Sequence, residues 1–256
     1  MLTPDQIAQY REKGFVVPHF RLPEETLESI RRDHDRLLAA NPAFRDNCSA
    51  LLTHDMAFLN YARNDAILDM VEQLIGPDIA LWNMSFFAKP AVNGKKTPFH
   101  QDGEYWPVNP LATCTVWIAV DDATTENGCL KFIPGSHKDK RLMKHEQKND
   151  PSLTLQQELL PGEFDEAAAE NLVLEAGQVS LHDVFLAHGS AVNRSDKPRR
   201  GMTLRLMPTT SVYDRDVAQA MYEKRRGNNL ARHSVFLMRG VDRSGKNDFR
   251  IRASAT

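Results

Sequence analysis

The 256-residue sequence predicts a mainly β protein with flanking helices: a helical N-terminal layer packed on one antiparallel sandwich or barrel. Three observations predict it. Up to residue 77 the apolar residues recur three and four apart. From Asp78 onward the apolar runs become short and are bounded by Gly, Pro, Asn and Asp. No linker, internal repeat or low-complexity tract divides the chain. One domain over 1–256 follows, with a helical layer over about 1–77, a β core over about 78–210 and a C-terminal extension over about 211–256.

Thr3-Pro4-Asp5-Gln6 forms a capping box with proline at the first helical position, and Gly14 stops that helix. Phe15–Phe20 is a short apolar run, read as a strand. Pro23-Glu24-Glu25 opens a helix through Leu27, Ile30, His34, Leu37 and Leu38, ended by Asn41-Pro42. Ala66–Ile75 is a third helix, stopped at Gly76-Pro77. Strands are expected at 79–89, 113–120, 128–133, 171–174, 178–181 and 201–207. Asn127-Gly128 signals a tight hairpin. The polar stretch 139–170 is expected to be a helix-prone insertion, and Val217–Arg225 a further helix.

Composition narrows the function classes. Hydrophobic residues are 41% and charged residues 26%, ordinary for a globular domain, and the net charge of −2 carries no nucleic-acid footprint. No uncharged run is long enough to span a bilayer. Three cysteines without a close pair argue against a disulfide framework and for a reducing compartment. The first residues lack the basic and apolar regions of a signal peptide, so a cytoplasmic location is expected.

The chemistry begins at His100-Gln101-Asp102, with His188 lying 86 residues past Asp102. Two imidazoles and one carboxylate form the facial triad that holds non-haem Fe(II) and leaves positions open for a cosubstrate and dioxygen. In an extended segment, residues i and i+2 share a face, so His100 and Asp102 point together while Gln101 points away. Leu181-His182-Asp183 shows that H-x-D alone is a weak signal. Arg199 stands eleven residues past His188, where a carboxylate anchor would serve; Arg200 takes that place if the register slips by one. Alternation puts Gly201, Thr203 and Arg205 on the Arg199 face, so Arg205 is either a second inward cation or half of a structural ion pair. His182 either lines the substrate site or packs beside it. Tyr105 and Trp106 either wall the open side of the metal or belong to the core. His137, in a Pro-Gly-Ser-His turn, is expected to bond a loop.

Further segments extend the pattern: Val116-Trp117-Ile118-Ala119-Val120-Asp121-Asp122, Glu126-Asn127-Gly128-Cys129-Leu130, Ile133-Pro134-Gly135-Ser136-His137, and His188-Gly189-Ser190 with Asn193, Ser195 and Arg199 beyond. Together they resemble the phytanoyl-CoA dioxygenase family of Fe(II)- and 2-oxoglutarate-dependent oxygenases, over roughly Phe15 to Pro208. The resemblance implies a double-stranded β-helix (jelly-roll, cupin-like) core. It implies His100, Asp102 and His188 as iron ligands, Arg199 as anchor of the distal 2-oxoglutarate carboxylate, Trp117 as a wall of that pocket and Ser85 as a further cosubstrate contact. It also implies the reaction: 2-oxoglutarate and dioxygen give succinate and carbon dioxide while an unactivated C–H of a small-molecule metabolite is hydroxylated. Retention of Asp102 points to oxygenation rather than halogenation. The spare Arg205 and His182 suggest a polar or anionic substrate, with neither nucleic acid nor membrane as partner. A zinc hydrolase would need a separate general base and gives Arg199 no role; a non-catalytic jelly-roll binding protein is the other alternative. Oligomeric state is not legible.

Overall fold

The computed structural model describes residues 1–225 and 229–252, the side chains of Tyr105 and Arg225 excepted. The N-terminal layer holds α1 (Pro4–Lys13), α2 (Glu24–Ala40), the short α3 (Leu51–His54) and α4 (Leu59–Ala62), and α5 (Asp65–Ile75). The capping box forms as read: Thr3 Oγ1 accepts from the Gln6 N–H at 3.2 Å and Gln6 Oε1 accepts from the Thr3 N–H at 3.0 Å. Gly14 ends α1 at a φ of 86°, which glycine adopts without strain.

Two sheets form the core. The larger runs β1 (Phe15–Val16), β11 (Val179–Asp183), β6 (Cys114–Ala119), β13 (Arg199–Pro208), β3 (Ile79–Lys89), β15 (Phe236–Arg239), with β2 (Asn47–Cys48) also on β3. The smaller runs β10 (Glu170–Leu172), β7 (Leu130–Phe132), β12 (His188–Ser190), β4 (Thr97–His100). Two outlying pairs complete the set: β5 (Val108–Asn109) with β14 (Val212–Tyr213), and β8 (His145–Gln147) with β9 (Gln157–Leu159). Helix α6 (Arg215–Arg225) follows the core.

Alternation along the large sheet explains how it is covered on both faces. Val116, Ile118, Leu181, Met202, Leu204, Met84 and Phe86 point to the helices and join one apolar cluster with Leu27, Ile30, Ile67 and Val71. Their neighbours in sequence point to the other sheet, and these carry the polar chemistry. The arrangement is the expected jelly roll: mainly antiparallel strands with a helical layer on one side. No helix among the described residues is long and apolar enough to cross a membrane.

Three local readings are corrected. Phe15–Phe20 pairs only over Phe15–Val16, because Pro18 has no N–H to extend the ladder. The 139–170 insertion is not helical. It folds as the β8–β9 hairpin plus the one-turn Glu166–Ala168, since Asp150 Oδ1 accepts from the Ser152 N–H at 2.8 Å and makes a turn where a helix would need a continuous stripe. Asn127-Gly128 does turn, with Gly128 at φ 82°, but β6 and β7 on its flanks belong to different sheets, so it is a crossover rather than a hairpin.

Candidate active site

His100 ends β4 and His188 begins β12, and the two are direct cross-strand partners in the smaller sheet. Their ring centroids lie 4.3 Å apart. Each ring's Nδ1 bonds the carbonyl two residues earlier, Pro98 O and Leu186 O, both at 2.9 Å. A neutral imidazole that donates from Nδ1 keeps its Nε2 lone pair for a metal. Gln101 is extended at φ −108°, ψ 132°, which carries Asp102 back to the His100 face. The Gln101 amide points away, donating to Phe185 O at 2.6 Å and accepting from the Met143 N–H at 2.6 Å. The ligand atoms of His100, Asp102 and His188 all lie within 4.8 Å of one another, and all three residues are buried.

The larger sheet supplies a row of donors around Asp102. His182, Thr115 and Arg205 are register partners across β11, β6 and β13. Thr115 Oγ1 donates to Asp102 Oδ2 at 3.4 Å, His182 Nε2 lies 3.7 Å from Oδ2, and Arg205 Nη2 lies 3.8 Å from Oδ1. Burial alone would raise the Asp102 carboxyl; His100, His182 and Arg205 hold it well below the usual carboxylate range. Burial, with the neighbouring His100, pushes the His188 imidazole down to about 3. Two imidazoles that spend Nδ1 on backbone carbonyls and an ionised carboxylate are a donor set that fits Fe(II).

The next feature lies deeper. Arg199 is 1% exposed, yet no carboxylate pairs with it among the described residues. Its Nη1 donates to Phe87 O at 3.3 Å and its Nε has no partner. Its guanidinium lies 5.6 Å from the centre of the Trp117 ring. Burial lowers it to about 10, so it remains charged at neutral pH. A buried cation without a counter-ion is costly unless a ligand supplies the anion. One pocket is lined by the metal triad, Trp117, Ser190, Thr203 and Arg199. The triad and Arg199 thus line one pocket, a metal-binding set and a carboxylate-binding cation together. Arg200 lies on the opposite face, gripping Asp121 from Nε and Nη2 at 2.8 and 3.0 Å, which settles the register between the two arginines. Gly201 lets the Trp117 ring lie close: a Cβ there would come within 2.3 Å of the indole.

The other sequence-predicted residues spread around this centre. Trp106 walls the outer cavity, with Arg205 5.0 Å from its ring. Arg205 is 7% exposed, boxed by Trp82, Phe87 and Trp106, so it is both an inward cation and an ion-pair partner. Ser85, expected as a cosubstrate contact, lines neither cavity; its Oγ accepts from Arg205 Nη1 at 2.8 Å and donates to Ser49 O at 3.2 Å, so it positions the lining Arg205 from behind. His182 lines the inner pocket beside His188. The Tyr105 side chain lies outside the described residues. His137 Nε2 bonds Arg11 O at 3.1 Å, in the last turn of α1, so it holds a helix end rather than the loop expected. Thr115 and Ser190 were missed, although each sits two residues from a predicted site residue, Trp117 and His188, where alternation points it inward. A larger cavity of about 650 Å³ opens on the His100–Asp102 side, with Trp82, Phe87 and Trp106 on one wall and the β9 residue Gln157 and the α6 residue Met221 across it.

Comparisons with known proteins agree with this geometry. The profile of the phytanoyl-CoA dioxygenase (PhyH) family matches residues 10–201. A Caenorhabditis briggsae phytanoyl-CoA dioxygenase domain-containing protein 1 homolog is 34% identical over 132 residues, 49% of this chain and 45% of that protein. This chain therefore aligns with less than half of that relative's length. The Danio rerio phytanoyl-CoA dioxygenase domain-containing protein 1 is 32% identical over 216 residues, 81% of this chain and 67% of that one. Among solved structures, the non-heme monooxygenase ThoJ superposes with a TM-score of 0.75 at 25% identity, covering 98% of this chain and 90% of its own. The epimerase SnoN, solved with Fe3+ and alpha ketoglutarate, shares the fold at 20% identity and a TM-score of 0.68, covering 98% of this chain and 94% of its own. By its matched profile, its jelly-roll core and its His-Asp-His centre, this chain belongs to the phytanoyl-CoA dioxygenase (PhyH) family of iron- and 2-oxoglutarate-dependent oxygenases.

Proposed function

We propose that this protein is an Fe(II)- and 2-oxoglutarate-dependent dioxygenase that hydroxylates an unactivated C–H bond of a small polar or anionic metabolite, releasing succinate and carbon dioxide. The observation that carries it is the pairing of the buried triad with the buried, carboxylate-free Arg199 at the other end of one pocket. A zinc hydrolase gives that guanidinium no role, and an inert binding protein would release no succinate. Bound iron and 2-oxoglutarate supply the oxidising power. His100, Asp102 and His188 hold the metal. Arg199 and Trp117 orient the cosubstrate, and Thr115, His182 and Arg205 keep Asp102 ionised in one rotamer. The aromatic wall of Trp82, Phe87 and Trp106 keeps water from the open face.

A polar or anionic substrate is supported by the lining of the 650 Å³ cavity, where Asn83, Gln147, Asn149 and Gln157 face it alongside Arg205. Gln157 Oε1 and Trp82 Nε1 are buried without partners, an acceptor and a donor for a polar ligand. Three buried, unpaired cysteines support a reducing compartment such as the cytoplasm. The test is succinate release from 2-oxoglutarate by the purified protein with and without added Fe(II). Iron-dependent release that is lost in Asp102→Ala is expected; release that is independent of iron, or undiminished in that variant, sinks the assignment.

A further inference from the structure

Beside the metal-side cavity lies a second cavity of about 510 Å³. The two share Trp82, Asn83 and Tyr222 as a common wall. The lining differs sharply in charge. Arg232, Arg252, His54 and His233 border the second cavity, and no carboxylate does among its described lining residues. Arg232 makes no ion pair among the described residues. Arg252 spends Nη2 on Asp248, but its Nε is buried without a partner. His233 also lines this cavity: burial first, then the charges of Arg205, Arg215 and His54, push its imidazole down to about 4, so it is neutral there. Positive potential that a fold leaves uncompensated next to a catalytic cavity attracts anions.

We infer that this second cavity is a remote anion subsite, in which Arg232 and Arg252 bind a phosphate monoester or carboxylate at the far end of the substrate. The inference rests on the oxygenase assignment and deepens it. The substrate is an elongated metabolite with its anion at one end. The oxidised C–H sits on the metal side of Trp82 and Asn83, several bonds away from that anion. Two arginine forks suit a tetrahedral or planar oxyanion, while the neutral His233 and Asn229 offer further hydrogen bonds.

The experiment titrates the full chain, loaded with diamagnetic Zn(II) and 2-oxoglutarate, with inorganic phosphate and separately with acetate, following the imidazole resonances of His54 and His233. Saturable shifts in the wild type are expected. Arg232→Ala and Arg252→Ala should each weaken them ~10-fold, as loss of one charge-assisted contact requires. Because Arg252 also holds Asp248, Arg252→Lys serves as the conservative control; it should recover part of the affinity if charge is what matters. Phosphate shifting both resonances at lower concentration than acetate identifies a phosphate monoester, and the reverse order identifies a carboxylate. Absence of saturable shifts, or shifts indifferent to both alanine variants, overturns the subsite. Failure of the oxygenase assignment looks different: the wild type would then release no iron-dependent succinate, whatever phosphate does.

Discussion

Replacing Arg199 by methionine should move stability and cosubstrate binding in opposite directions. Folding lowers the guanidinium from its ordinary value to about 10, and burial is the leading cause. The folded protein thus holds this proton less tightly than the unfolded chain does. The charge costs stability at every pH below about 10, and the cost fades only as pH rises from there towards the ordinary guanidinium value. At neutral pH that amounts to about 3 kcal/mol. Methionine fills much of the same space beside Trp117 and forfeits the bond to Phe87 O and the stacked cation, together worth about 1–2 kcal/mol. A net gain of about 1–2 kcal/mol remains, a rise of roughly 2–8 °C in Tm for a chain of this size. Binding of 2-oxoglutarate should weaken ~100-fold, the equivalent of losing a buried bidentate ion pair worth about 3 kcal/mol. Thermal unfolding without cosubstrate, and calorimetric titration of the Mn(II)-loaded protein with 2-oxoglutarate, measure the two effects. A variant less stable than wild type that binds 2-oxoglutarate within about threefold of it would refute the reasoning. Arg199 would then serve the fold.

Two further perturbations test neighbouring parts of the argument. Gly201→Ala places a methyl within 2.3 Å of the Trp117 indole, so the ring must shift; a loss of about 1–3 kcal/mol in unfolding free energy and weaker 2-oxoglutarate binding should appear together in denaturant melts and titrations. His34 is buried, stacked on Phe86 with ring centroids 4.0 Å apart, and burial lowers its imidazole from 6.5 to about 4. Its folded form therefore resists protonation. The stability it contributes is complete above pH 6.5 and is lost as pH falls towards 4, by about 3 kcal/mol in full. The difference in unfolding free energy between His34→Phe and wild type should accordingly grow in the variant's favour as pH drops from 7 to 4; a pH-independent difference would show that His34 does not titrate on unfolding.

Much of the fold is legible in local chemistry. The Thr3 capping box, the Gly14 stop and the long Ile79–Lys89 strand depend on residues close in sequence, and they form as read. The errors fall where partners are distant. The 139–170 insertion has composition suited to a helix but finds strand partners within itself, and its His145 Nε2 accepts from the Gln101 N–H at 3.1 Å, tying it to the iron-binding segment. Strands β4 and β12 are too short and polar to announce themselves, yet they carry His100 and His188.

The sequence by itself determined the chemistry: the H-x-D pair, the distant histidine and the arginine eleven residues on, because period-2 alternation is a local property of extended chain. Only the tertiary structure decided that His100 faces His188 across one pair of strands, that Arg200 is spent on Asp121 while Arg199 is left without a counter-ion, and that Arg205 answers to Asp102. It alone brings residues 54, 232, 233 and 252 around a second cavity. The physical reason is the same in each case. Register between strands, and packing between sheets, depend on contacts between residues far apart in the chain, which no local pattern encodes.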